Sequence, residues 1–169
     1  MSTLAECCAQ INASFRFQSP LPKTAEITIG GRPKFTHVID LEGHPVKIEP
    51  GERTLIYVFS PTCIWCKRNL PSIRDLANQL KPPYRVLGMV QSTEGLKDYL
   101  SVNHLPFSVV VDDDPYDLST LDVQGTPQTI LVAGGKVIHN WSGAYEAAVK
   151  GSIQSTLHVS LPAIATDTK

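Results

Sequence analysis

Phe59-Ser60-Pro61-Thr62-Cys63-Ile64-Trp65-Cys66-Lys67-Arg68 is the stretch that decides the fold. It follows a continuous apolar run, residues 54–59 (TLIYVF), which reads as a strand buried on both faces. Beyond it, Leu70, Ile73, Ala77 and Leu80 recur at a 3.6-residue period and predict a helix over about residues 63–80. Pro71 falls inside that helix and predicts a kink, and Lys81-Pro82-Pro83 ends it. A Cys-x-x-Cys between a buried strand and a helix has a mechanical reason for its spacing. Cys63 stands at the helix start and Cys66 one turn further in, so the two sulfurs can bridge. Unpaired N–H groups and the positive end of the helix dipole favour a thiolate at Cys63. Such surroundings lower a thiol pKa from about 8.5 to within about 3.5–7.5. Thr62, Lys67 and Arg68 flank the pair and are the candidate tuning residues, the two cations by adding positive potential. The reading that follows is a redox-active dithiol/disulfide, with Cys63 as the attacking thiolate and Cys66 as the resolving thiol.

Working outward, residues 35–41 (FTHVIDL) read as a strand, with residues 46–48 pairing back across the Glu42-Gly43 turn. Strands are also expected at 84–90, 108–111, 128–133 and 136–141, the last two joined by Gly134-Gly135. Helices are expected at about 3–14, 94–103, 117–121 and 144–157. The order describes an α/β fold, a central mixed sheet with helices on both faces. Residues 1–24 read as an N-terminal helix and connector, 25–160 as the domain, and 161–169 as a tail.

The chain has 169 residues, 42% of them hydrophobic, which suits one compact domain. Its 16 acidic and 15 basic residues nearly cancel, and no basic run provides a nucleic-acid footprint. No apolar stretch approaches the roughly 18 residues that span a bilayer. The first sixteen residues lack an apolar signal core. Two locations follow: cytoplasmic, or periplasmic or otherwise extracytoplasmic behind a leader or anchor not in this sequence.

Other candidates read more plainly. Cys7-Cys8 is a vicinal pair whose members do not face each other on a helix, and it reads as packed apolar residues. Structural zinc needs four ligands. His37, His44, His104, His139 and His158 are scattered and suit surface or capping roles, so no metal is expected. Asp112-Asp113-Asp114 lacks the spacing of a calcium loop and reads as a solvated turn. Trp141 reads as packing, whereas Trp65 fits either packing or a docking surface.

The strand–CxxC–helix unit, Pro71 five residues after Cys66, and Gly125-Thr126-Pro127 before a strand and hairpin together resemble the thioredoxin superfamily. Within it the chain looks most like the TlpA/ResA group (AhpC/TSA-like), over about residues 30–160. That resemblance implies a thioredoxin fold with an N-terminal β-hairpin extension (residues 35–48) and a βα insertion (residues 94–121) before a cis-proline loop. It implies that Pro127 is cis and packs beside the dithiol, and that the Thr126 backbone pairs with a client polypeptide. Trp65, Thr126 and Pro127 are then the substrate-binding residues. It further implies a monomeric thiol–disulfide oxidoreductase that needs no cofactor beyond its own disulfide. Its partners would be protein thiols or disulfides and an electron donor or acceptor, and its direction reducing.

Three positions depart from the pattern. Thr62 stands where the family often has Trp, Tyr57 where thioredoxins have a buried Asp, and Asn69 where ResA-like proteins have Glu. Both acids are credited with handling the proton of the buried thiol. Glu94 and Asp98 are substitutes by sequence, although a solvated helix face is the simpler reading of both. Two other functions compete. A peroxiredoxin-like peroxidase fails on spacing, because Pro61-Thr62-Cys63 is contiguous. A non-catalytic binding module would use the same groove without turnover.

Overall fold

A computed structural model of the chain describes residues 29–35, 38–49, 51–112, 114 and 120–163. The expected helix at 3–14 with Cys7 and Cys8, the end of the tail, and most of the short helix at 117–121 lie outside the described residues.

The apolar run ahead of the cysteines forms β1 (Arg53–Val58), every residue of which is buried except the first. It leads into α1 (Ile64–Gln79), with Pro71 inside the helix. Next come β2 (Tyr84–Val90), α2 (Leu96–Asn103) and β3 (Ser108–Val111). The chain finishes with β4 (Gln128–Ala133), β5 (Lys136–Ser142) and α3 (Ala147–Leu157). The five strands form one mixed sheet in the order β3-β2-β1-β4-β5. β1 is central, parallel to β2 (Tyr57 opposite Gly88) and antiparallel to β4 (Tyr57 opposite Thr129). β4 turns into β5 through Gly134 and Gly135, at φ +58° and +69°. This left-handed pair is what a two-residue hairpin requires.

Side-chain alternation along β1 splits the core in two. Leu55, Tyr57 and Phe59 face a layer containing Leu70 and Ile73 of α1, Leu96 of α2, and Ile153 and Leu157 of α3. Ile56 and Val58 face the opposite layer, with Leu87, Met89, Ile130 and Leu121, and with Val38, Val46 and Ile48 from the N-terminal rim.

The structure refines four expectations. Among the described residues of 35–41 no regular strand forms, but the chain does pair back as expected: the Asp40 N–H donates to the His44 carbonyl and the Val46 N–H to the Val38 carbonyl, both at 2.9 Å, with bridges from Ile39 to Pro45 and to Val111. The Asp40 carboxylate accepts the N–H groups of Glu42 and His44 (3.0 and 2.7 Å), which tightens the turn between the two arms. α2 starts at Leu96, because Gly95 sits at φ +67° as its N-cap. α3 starts at Ala147, because the preceding loop turns its backbone amides toward the dithiol region, as described below. Asp112, read as part of a solvated turn, is buried, and its carboxylate accepts the Asp114 N–H at 3.1 Å. His104 and His158 cap the C-termini of α2 and α3 in the left-handed conformation. Trp141 is buried, stacked on His139, and its indole N–H donates to Ser152 at 2.9 Å.

Candidate functional site

The end of β1 delivers the chain to a tight turn at residues 60–62, where the hydroxyls of Ser60 and Thr62 share a hydrogen bond of 3.0 Å. Cys63 follows as the N-cap of α1 and occupies the capping position with sulfur: its Sγ accepts the Cys66 N–H at 3.1 Å. Cys66 lies one turn in, buried beneath the helix start, while Cys63 is partly exposed; both are free thiols.

Pro127 arrives from the other side of the sheet. The Thr126–Pro127 peptide bond is cis, and as a thiol Cys63 donates to the Thr126 carbonyl at 3.4 Å. The Pro82–Pro83 bond is also cis. Gly143, at φ +94°, donates its N–H to the Pro127 carbonyl at 2.9 Å, tying the loop before α3 to the cis-proline loop.

The two thiols are driven apart electrostatically. Partial burial raises the Cys63 pKa, but hydrogen bonds from the Cys66 and Thr126 side chains and from the Cys66 and Trp65 backbone outweigh it, and the net shift is downward. Burial pushes the Cys66 thiol up to about 12, helped by its hydrogen bond to Cys63. The leading influences on Cys63 include no cationic side chain. Thr62 is bonded to Ser60, Lys67 is exposed, and the Arg68 guanidinium lies over the Trp65 ring, 4.9 Å from its centroid.

Behind the sulfurs lies a group of side chains that the sequence signalled only through two departures. Asn69 is fully buried; it donates to the Tyr57 hydroxyl at 3.3 Å and accepts the Tyr145 N–H at 2.9 Å. The Tyr145 and Thr129 hydroxyls share a bond of 2.8 Å. Burial raises the pKa of Tyr57, Tyr145 and Tyr99, the last to about 12, so all three stay neutral at ordinary pH. Tyr145 and Tyr99 carried no signal of their own, because each sits in an ordinary amphipathic pattern. Glu94 and Asp98 are both exposed.

Two cavities flank Thr126. One, of about 180 Å³, is lined by Trp65, Thr126, Pro127, Ala144 and Glu146. The other, of about 200 Å³, is lined by Phe59, Pro61, Thr62, Val90, Glu94 and Thr126 among others. The structure therefore brings together Cys63, Cys66, Trp65, Thr126 and Pro127. Among the described residues no cluster of His, Cys, Asp or Glu could hold a metal ion, and no helix is long and apolar enough to cross a membrane.

No family model matches the chain. A thioredoxin-like protein of Haemophilus influenzae is 28% identical over 104 residues, which is 58% of this chain and 60% of that protein. The chain thus matches less than two thirds of that relative's length. A Neisseria meningitidis protein assigned as a thioredoxin superposes with a TM-score of 0.62 at 26% identity, covering 76% of this chain and 89% of that one. A Chlorobium tepidum protein assigned as the thiol:disulfide interchange protein DsbE superposes with a TM-score of 0.67 at 19% identity, covering 78% and 97%.

Proposed function

We propose that this chain, a thioredoxin-fold protein by its structural neighbours, is a thiol–disulfide oxidoreductase that exchanges disulfides with protein clients through Cys63 and Cys66. The observation that carries the reading is the unequal pair on one helix turn: an accessible sulfur that caps the helix and has a lowered pKa, above a buried sulfur with a raised one. In the forward step the Cys63 thiolate attacks one sulfur of a client disulfide and expels the other as thiolate. Cys66 then gives up its proton and attacks Cys63, which releases the reduced client and leaves the Cys63–Cys66 disulfide. Two electrons pass from the dithiol to the client, and an upstream thiol donor must return them.

Thr126 serves as the main-chain partner of an extended client segment, which gives affinity without sequence choice. Trp65 and Pro127 form the wall of that groove. A reducing direction is favoured because Cys63 is held by hydrogen bonds and not by an ion pair. A strongly stabilised thiolate would favour the dithiol form and make an oxidant. The resemblance supports an extracytoplasmic place of work for a monomer.

The test is the reduction potential of the pair, read by equilibrating the protein in graded thiol/disulfide buffers and counting free thiols by mass. Such couples run from about −270 mV in thioredoxin to about −120 mV in a strong oxidant. A value in the lower half of that range is expected. A value near the upper end overturns the reducing direction, and the absence of a reversible couple overturns the enzyme reading.

A further inference from the structure

The cavity of about 200 Å³ on the Glu94 side of Thr126 is lined by Thr62, the residue before Cys63, and by Thr126, and the exchange chemistry above does not use it. Phe59, Pro61 and Val90 give it apolar lining, and polar side chains such as Thr62, Gln91 and Glu94 line it as well. Glu94 is exposed and is the one ionisable side chain lining it among the described residues. The volume is that of about seven liquid waters, enough for the side chain of Lys or Arg. Apolar lining together with a carboxylate matches a side chain with a hydrocarbon stem and a cationic head.

We propose that this cavity is a client subsite for a basic side chain, with Glu94 as its counter-charge; the inference rests on the exchange reading above. Register narrows the position. A client segment pairing with the Thr126 backbone is extended, so its side chains alternate between faces. The client cysteine points at Cys63, and the residues sharing its face are those two positions away. The basic residue therefore stands two residues from the reactive cysteine, on the side that runs over Glu94.

The experiment uses the reduced full chain in single turnover. The clients are short peptides, each with one cysteine disulfide-bonded to a thionitrobenzoate leaving group, whose release is followed by absorbance. Lysine, alanine or glutamate is placed at −2, −1, +1 or +2 from the cysteine. Lysine at one of the two-residue positions is expected to react about two- to fivefold faster than alanine, the size of an exposed ion pair. Glutamate there should be slower than alanine, and the lysine advantage should shrink as salt is raised. Glu94→Gln should bring the three peptides to a common rate, while Glu146→Gln keeps their ratio. Equal rates for lysine, alanine and glutamate at every position overturn the subsite. So does a lysine advantage that survives Glu94→Gln or depends on Glu146 instead. The alanine peptide separates the two levels: if it reacts and the ratios are flat, only the subsite falls. If no peptide reacts, the exchange reading falls and takes the subsite with it.

Discussion

The front and the back of the dithiol are three residues apart in the chain and opposite in character. The front holds Cys63, partly exposed at a helix cap, with the Thr126 carbonyl and two cavities edged by the exposed carboxylates of Glu94 and Glu146. The back holds Cys66, buried, above a neutral set of polar groups: Asn69 between Tyr57 and Tyr145, and Tyr145 on Thr129. One helical turn is enough to make that difference, because the cap faces solvent while the next turn faces the sheet. The front presents charge and open backbone to a partner. The back satisfies these polar groups internally, with a tyrosine and an amide at Tyr57 and Asn69, the two positions that depart from the family pattern.

The largest way to break this division is at the sulfurs. Cys63→Ser should reduce exchange to the uncatalysed background, whereas Cys66→Ala should react once and stall as a mixed disulfide, visible as an adduct by mass spectrometry. Equal residual activity in the two variants would erase the distinction between front and back.

The next is at the back. Asn69→Ala leaves the Tyr145 N–H and the Tyr57 hydroxyl without their partner in a buried site, and should cost about 2–4 kcal/mol. Urea unfolding of the reduced protein measures it. A loss below about 0.5 kcal/mol would mean that this set of bonds does not hold the region together.

Titration sharpens the comparison. Alkylation of Cys63 should show a midpoint below the free-thiol value of about 8.5, while Cys66 stays unlabelled well above it. The linkage signs are opposite for the two groups. The lowered Cys63 pKa contributes stability above the unfolded-state thiol pKa, lost as pH falls through the folded value. The raised Cys66 pKa contributes stability below the unfolded-state value, lost as pH rises toward about 12. The reduced protein should thus lose more stability between pH 9 and 11 than the Cys66→Ala variant does, as read from urea midpoints.

The smallest expected effect lies at the front. Trp65→Ala removes the Arg68 stacking contact, worth about 0.5–1 kcal/mol, and one wall of a cavity. It should raise the client KM severalfold while leaving the reduction potential unchanged. A shifted potential would mean that Trp65 and Arg68 act on the sulfur and not on the client.

Much of this was legible in local sequence. β2, β3 and β4 have the bounds that their apolar runs suggest, and the strand–CxxC–helix unit is where spacing puts it. Less legible were the elements whose ends depend on something distant. The turn of the hairpin at residues 38–46 is tightened by the Asp40 carboxylate, and the loop before α3 stays out of the helix because Gly143 and Tyr145 bond to Pro127 and Asn69. Thr62, Lys67 and Arg68 are tuning candidates by proximity in sequence; in the fold the Thr62 hydroxyl bonds to Ser60 and the Arg68 guanidinium lies over the Trp65 ring.

The sequence by itself determined the dithiol, its place at a helix start, and the strand and helix order around it. Those features rest on periodicity and on spacings of a few residues, which the chain carries in order. The resemblance already placed Thr126 and Pro127 beside the dithiol, and only the tertiary structure decided the actual contacts around the sulfurs and the polar set behind them. Asn69 and Tyr145 are 76 positions apart and Cys63 and Thr126 are 63 apart, and nothing local to any of them names the partner. The central place of β1, between β2 and β4, brings these distant segments to one end of the sheet, and burial there gives a neutral back and a charged front to the same turn of helix.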